Sequence, residues 1–86
     1  MPAEEFFVDI PVDGEWPSSD DMNARNAVVD ELDELKIGEF IGSGGGMGSM
    51  DFSYLFADGE AARGIIKTLM EKHLPGREFT IEIADD

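Results

Sequence analysis

Cysteine is absent from the 86 residues. That excludes a disulfide framework and any thiolate metal site, and leaves the redox compartment open. Basic residues are scarce: six Lys and Arg stand against twenty Asp and Glu, for a net charge of −14 with neutral histidine. A surface of that sign repels phosphate backbones and anionic lipid, so neither nucleic acid nor membrane is expected as a partner. Histidine occurs once, at His73, and without a cysteine or a clear nucleophile beside it the expectation is a surface residue near a helix C-terminus. No apolar run reaches the length of a membrane span or a signal h-region, and Met1-Pro2-Ala3-Glu4-Glu5 has no basic n-region. A soluble cytoplasmic protein is the expectation.

What is present argues for a folded chain. Hydrophobic residues make up 42%, including six Phe, one Trp and one Tyr, too many for an acidic disordered tail. The length suits one domain, residues 1–86, with a modest two-layer core. The acidity has two readings. It can keep a small domain soluble, or it can attract and steer a basic protein.

The stretch Gly38–Ala57 organises the rest. Glu39–Ser43 and Ser49–Ala57 are apolar-rich runs on either side of Gly44-Gly45-Gly46-Met47-Gly48, the pattern of two antiparallel strands joined by a glycine turn. Met50, Phe52, Tyr54 and Phe56 alternate with Asp51, Ser53, Leu55 and Ala57, which predicts a central strand. Gly44, Gly45, Gly46 and Met47 are expected to form a flexible loop. The glycines could cradle an anion, but a strand follows them and no basic residue is near, unlike phosphate-binding loops.

Phe6, Val8, Ile10 and Val12 alternate along a first strand over 5–12. Ser18 and Asp21 suggest a capped helix over 19–37, with Ala24, Val28, Leu32 and Leu35 at helical spacing and Gly38 at its C′ position. Trp16 is expected to cap the core edge. Asp30, Glu31, Asp33 and Glu34, with Arg25 and Lys36, read as a solvated helix face. A second helix over 59–73 starts from an Asp58 cap and carries Ala62, Ile65, Ile66, Leu69 and Met70. Gly64 inside it would be tolerable if it lets the helix lie close to the sheet. Phe79, Ile81 and Ile83 alternate along a last strand over 78–84, after the hairpin strands 38–43 and 49–57.

The order β-α-β-β-α-β predicts an α+β, ferredoxin-like sandwich: a four-stranded sheet of order 4-1-3-2, antiparallel overall, with both helices on one face. Contacts between Phe6–Ile10 and Phe52–Phe56 are expected to be parallel. Phe6, Val8, Ile10, Phe52, Tyr54, Phe56, Phe79, Ile81 and Ile83 would face the helices. Phe7, Asp9, Asp51, Ser53, Leu55, Glu78, Thr80 and Glu82 would form the open face, while Phe40 and Ile41 leave the facing of the second strand ambiguous. Residue types that serve familiar activities on this fold are missing: a Cys-x-x-Cys for metal delivery, a basic aromatic face for RNA, and an arginine-bearing N-terminal phosphate loop. Asp9 and Asp51 on neighbouring strands could hold a divalent cation or share a proton, but no third ligand is identifiable. No cofactor and no metal are expected.

Phe40–Asp58, with its glycine-rich turn, Asp51 and the strand end Phe56-Ala57-Asp58, resembles a stretch in small, uncharacterised bacterial single-domain proteins. Some of those are regarded as immunity-type proteins, which neutralise a toxin by binding it. The resemblance agrees with a ferredoxin-like fold and assigns no functional residue. Together these features suggest a non-enzymatic module that binds a basic protein through Phe7, Asp9, Asp51, Leu55 and Glu82 on the open sheet face. The alternative is a small-molecule-binding regulatory domain that forms a homodimer through the same face.

Overall fold

A computed structural model describes residues 3–83. The elements are β1 (Glu4–Pro11), α1 (Ser19–Leu35), β2 (Gly38–Gly46), β3 (Ser49–Phe56), α2 (Gly59–His73) and β4 (Thr80–Ile83). They form an α+β structure with one four-stranded sheet in the order β2-β3-β1-β4; counted from the β4 edge this reads 4-1-3-2. The arrangement resembles the ferredoxin-like βαββαβ unit.

Every neighbouring pair is antiparallel, which corrects the parallel contact expected between Phe6–Ile10 and Phe52–Phe56. The geometry follows from connectivity. β1 and β2 run the same way, the hairpin reverses the chain into β3, and β3 therefore lies antiparallel to β1 when it inserts between them.

Period-two alternation fixes which face is buried. Phe6, Val8 and Ile10 of β1 and Met50, Phe52, Tyr54 and Phe56 of β3 are buried, and Val28, Val29 and Leu32 of α1 and Ala62, Ile66, Leu69 and Met70 of α2 close over them. Phe6 and Phe56 meet edge to face with centroids 5.5 Å apart. Phe79 and Ile81 are half-buried against this cluster. Ile83, expected in the core, is 44% exposed at the sheet edge. The strand expected over 78–84 is shorter, and residue 84 lies outside the described residues.

Both helices start where the caps predict: Ser18 Oγ accepts from Asp21 N–H at 3.1 Å and Asp58 Oδ1 from Glu60 N–H at 3.0 Å. α1 ends earlier than expected, at Leu35, with Lys36 in the left-handed region as its C-cap. Gly38 is not the C′ residue; it opens β2, where an added Cβ would lie 1.9 Å from the Leu55 carbonyl oxygen. Leu35 has left the apolar stripe and is exposed.

The expected glycine loop is mostly strand. Gly44, Gly45 and Gly46 pair with Asp51, Met50 and Ser49, leaving a two-residue turn of Met47 (φ 56°) and Gly48 (φ 86°). Positive φ at both central residues is the type I′ geometry, whose twist matches that of paired strands. Trp16 packs across this end, with its ring 2.8 Å from where a Cβ on Gly46 would stand, and remains largely exposed.

Gly64 does not let α2 approach the sheet, because a Cβ there would meet nothing within 4 Å. It is only a flexible residue inside a helix, so Gly64→Ala should raise stability by roughly 0.5–1 kcal/mol. A denaturant melt measures this; a loss of stability would mean that the glycine is sterically required.

Candidate functional site

The sheet face away from the helices is built in cross-strand rows. One row runs Glu39, Leu55, Glu5; the next Gly42, Ser53, Phe7, Glu82; the next Gly44, Asp51, Asp9, Thr80. Phe7, Asp9, Asp51 and Leu55 are half-buried and Glu82 is exposed. All five residues singled out from the sequence therefore share one surface, with Phe7 directly beside Glu82 and Asp9 directly opposite Asp51. Glu78 precedes β4 and is not part of these rows.

Two further acids belong to the face. Glu5 and Glu39 flank Leu55 from the strands on either side. Glu5 follows from the unbroken alternation of β1 with Phe7 and Asp9, whereas Glu39 is hidden in the sequence because a β-bulge lies between Phe40 and Gly42. The extra residue resets the alternation of β2, so no single period runs through it. Ile41 is that extra residue, and it is exposed together with Phe40.

Like charges directly opposite on a sheet have Cβ atoms roughly 4.5–5.5 Å apart and repel. Neither Asp9 nor Asp51 finds a hydrogen-bond or ion-pair partner among the described residues. No group of three His, Cys, Asp or Glu that could hold a metal occurs among the described residues. The strands contain no Lys or Arg at all; every basic residue lies in a helix or a connection.

On the helix side the charges are used differently. Glu31 of α1 meets Lys72 at 2.8 Å and also His73 on α2. It was expected to be solvated, as was Asp33, which accepts a 2.7 Å hydrogen bond from the Tyr54 hydroxyl. Burial, reinforced by Asp33, pushes the Tyr54 phenol up. Arg77 reaches Asp21 at 2.8 Å and the Pro11 carbonyl at 2.9 Å.

Arg25, expected on the outer face, is buried. Its Nη1 donates to the Gly44 carbonyl at 3.0 Å, and Nε and Nη2 donate to Asn26 Oδ1. The guanidinium thus pins the glycine strand to α1, beside a shallow groove lined by Trp16, Pro17, Met22 and Ser43. The long arginine stem covering apolar surface explains how a charged residue enters a helix's inner side.

No family model matches the chain, and no curated protein or solved structure matches it. No helix among the described residues is long and apolar enough to cross a membrane.

The Lys72 and His73 hydrogen bonds hold the Glu31 carboxyl below its ordinary range, and the Arg77 hydrogen bond does the same for Asp21. A depressed carboxylate contributes stability that is present above its unfolded pKa and lost as pH falls through the folded one. Wild type should therefore be more stable than Glu31→Gln or Asp21→Asn at neutral pH, and the difference should close as pH drops below the ordinary carboxylate range. Denaturant melts across that window check it; a difference that stays constant would contradict the pairing.

Proposed function

We propose that this protein is a non-enzymatic binding module whose open sheet face takes a basic protein partner, on a ferredoxin-like scaffold. The observation that carries the reading is the partition of charge. The strands hold Glu4, Glu5, Asp9, Glu39, Asp51 and Glu82 without one basic residue, while Lys and Arg are confined to helices and connections. Asp9 and Asp51 face each other with no compensating group among the described residues.

Opposed carboxylates cost stability in the free protein, and a Lys or Arg seated between them removes that cost. Phe7 and Leu55 supply a half-buried apolar centre inside the acidic rim, the anatomy of an interface with a water-excluding middle. The resemblance of Phe40–Asp58 to small bacterial single-domain proteins, some of them regarded as immunity-type, agrees with a neutralising role against a basic toxin.

Long-range attraction of this kind acts mainly on the association rate and is screened by salt. The triple variant Asp9→Asn, Asp51→Asn, Glu82→Gln should slow association by about tenfold or more at low salt. Asp30→Asn with Glu34→Gln is the control, since both residues are exposed on α1 and outside the ties made by Glu31 and Asp33. Proteins captured on wild-type and variant baits at low and high salt, followed by on-rate measurements, test this. A basic protein lost with the face variant and kept with the helix variant is expected. Equal capture by both variants would place the partner elsewhere.

A further inference from the structure

We propose that the free edge of β2 pairs antiparallel with the β2 edge of a second copy of this chain, joining two four-stranded sheets into one of eight strands. Among the described residues β2 has one neighbour, β3, so its other side is a sheet edge over Gly38–Gly46, on which the Gly44 carbonyl is taken by Arg25. Natural sheets blunt such edges with short strands, proline, lysine or other charges. The β4 edge follows that rule, being four residues long and carrying Glu82. β2 does not. It spans nine residues and has Glu39 as its single charged side chain.

The local chemistry favours association. Residues 40–50 form the longest uncharged run in the chain. Phe40 is 39% and Ile41 49% exposed, and Leu35, three residues before the strand begins, is also exposed. Gly42 closes the β-bulge after Ile41, and a Cβ there would meet nothing within 4 Å. A bare residue at a bulge also leaves room for another backbone to approach closely.

Charge selects the occupant. A second copy brings another net −14 and is repelled from the acidic sheet face. A two-fold axis beside β2 instead sets two identical uncharged strips together and satisfies the free backbone groups of both edges reciprocally. A basic partner has no charge to find on this strip. The bulge at Ile41 divides the edge, so Gly42–Gly46 is the regular segment beyond it, and a second copy would pair there through the groups other than the Gly44 carbonyl, which Arg25 holds. In the dimer the two acidic faces lie side by side on one continuous sheet, although the pairing does not depend on what those faces bind.

The salt response separates this contact from binding of a basic protein. Screening relieves repulsion between like-charged chains, so the dimer should tighten several-fold as salt rises. Sedimentation equilibrium of the full chain, across concentration at low and high salt, gives the mass directly. A shift from one chain to two, favoured by concentration and by salt, is expected. Ile41→Lys and Gly42→Glu should each remain monomeric while melting close to wild type, because Ile41 lies outside the core and a Cβ on Gly42 meets open space. A monomer at every concentration and salt overturns the proposal and leaves the edge to an extended segment of an unlike protein. A dimer that survives both substitutions overturns it as well, in favour of another face.

Discussion

The antiparallel register of β1 on β3 is the constraint on which the rest of the molecule depends. It sets Phe6 against Tyr54, Val8 against Phe52 and Ile10 against Met50 on one face. Those side chains are almost completely removed from water, and they give both helices a surface to cover. The same register, with no further freedom, sets Phe7 against Ser53 and Asp9 against Asp51 on the other face. Because side chains alternate strictly along a strand, sliding one strand by a single residue would bury the acids and expose the aromatics. The core and the acidic surface are consequences of one pairing.

Four of the six Lys and Arg side chains, Arg25, Arg63, Lys72 and Arg77, tie elements together. Lys72 and His73 meet Glu31 across the two helices, Arg77 meets Asp21, and Arg63 lies 5.8 Å above the Phe6 ring. Arg25 holds the Gly44 carbonyl against α1. None of these groups is placed to neutralise the sheet face. Opposed acids on an uncovered sheet work against folding, so the domain retains them at some expense to its own stability. That tension is common at binding surfaces, where local rules are broken and compensated elsewhere.

Alternation made β1, β3 and the five face residues legible in the sequence, and the Ser18 and Asp58 caps gave both helix starts. What escaped reading had physical reasons. The bulge at Ile41 hid Glu39, and the β1–β3 direction follows from connectivity that the periodicity does not contain. The glycines between Gly44 and Gly46 look like a loop by composition, yet strand pairing and the Arg25 hydrogen bond hold them in the sheet. Glu31 and Asp33 look solvated by helical position, but each reaches a partner distant in sequence. Leu35 fits the apolar period and is exposed because α1 closes at Lys36 before the stripe returns to the core.

A double-mutant cycle on the opposed pair tests the central claim most directly. Equilibrium stability would be measured for wild type, Asp9→Asn, Asp51→Asn and the double variant. If the face is an uncompensated acidic surface built by the β1–β3 register, each single substitution stabilises the protein and the double variant gains less than the sum, with a repulsive coupling of about 0.2–1 kcal/mol. Destabilisation by either substitution, or an attractive coupling, would show that the two carboxylates are held in favourable contacts and would contradict the account.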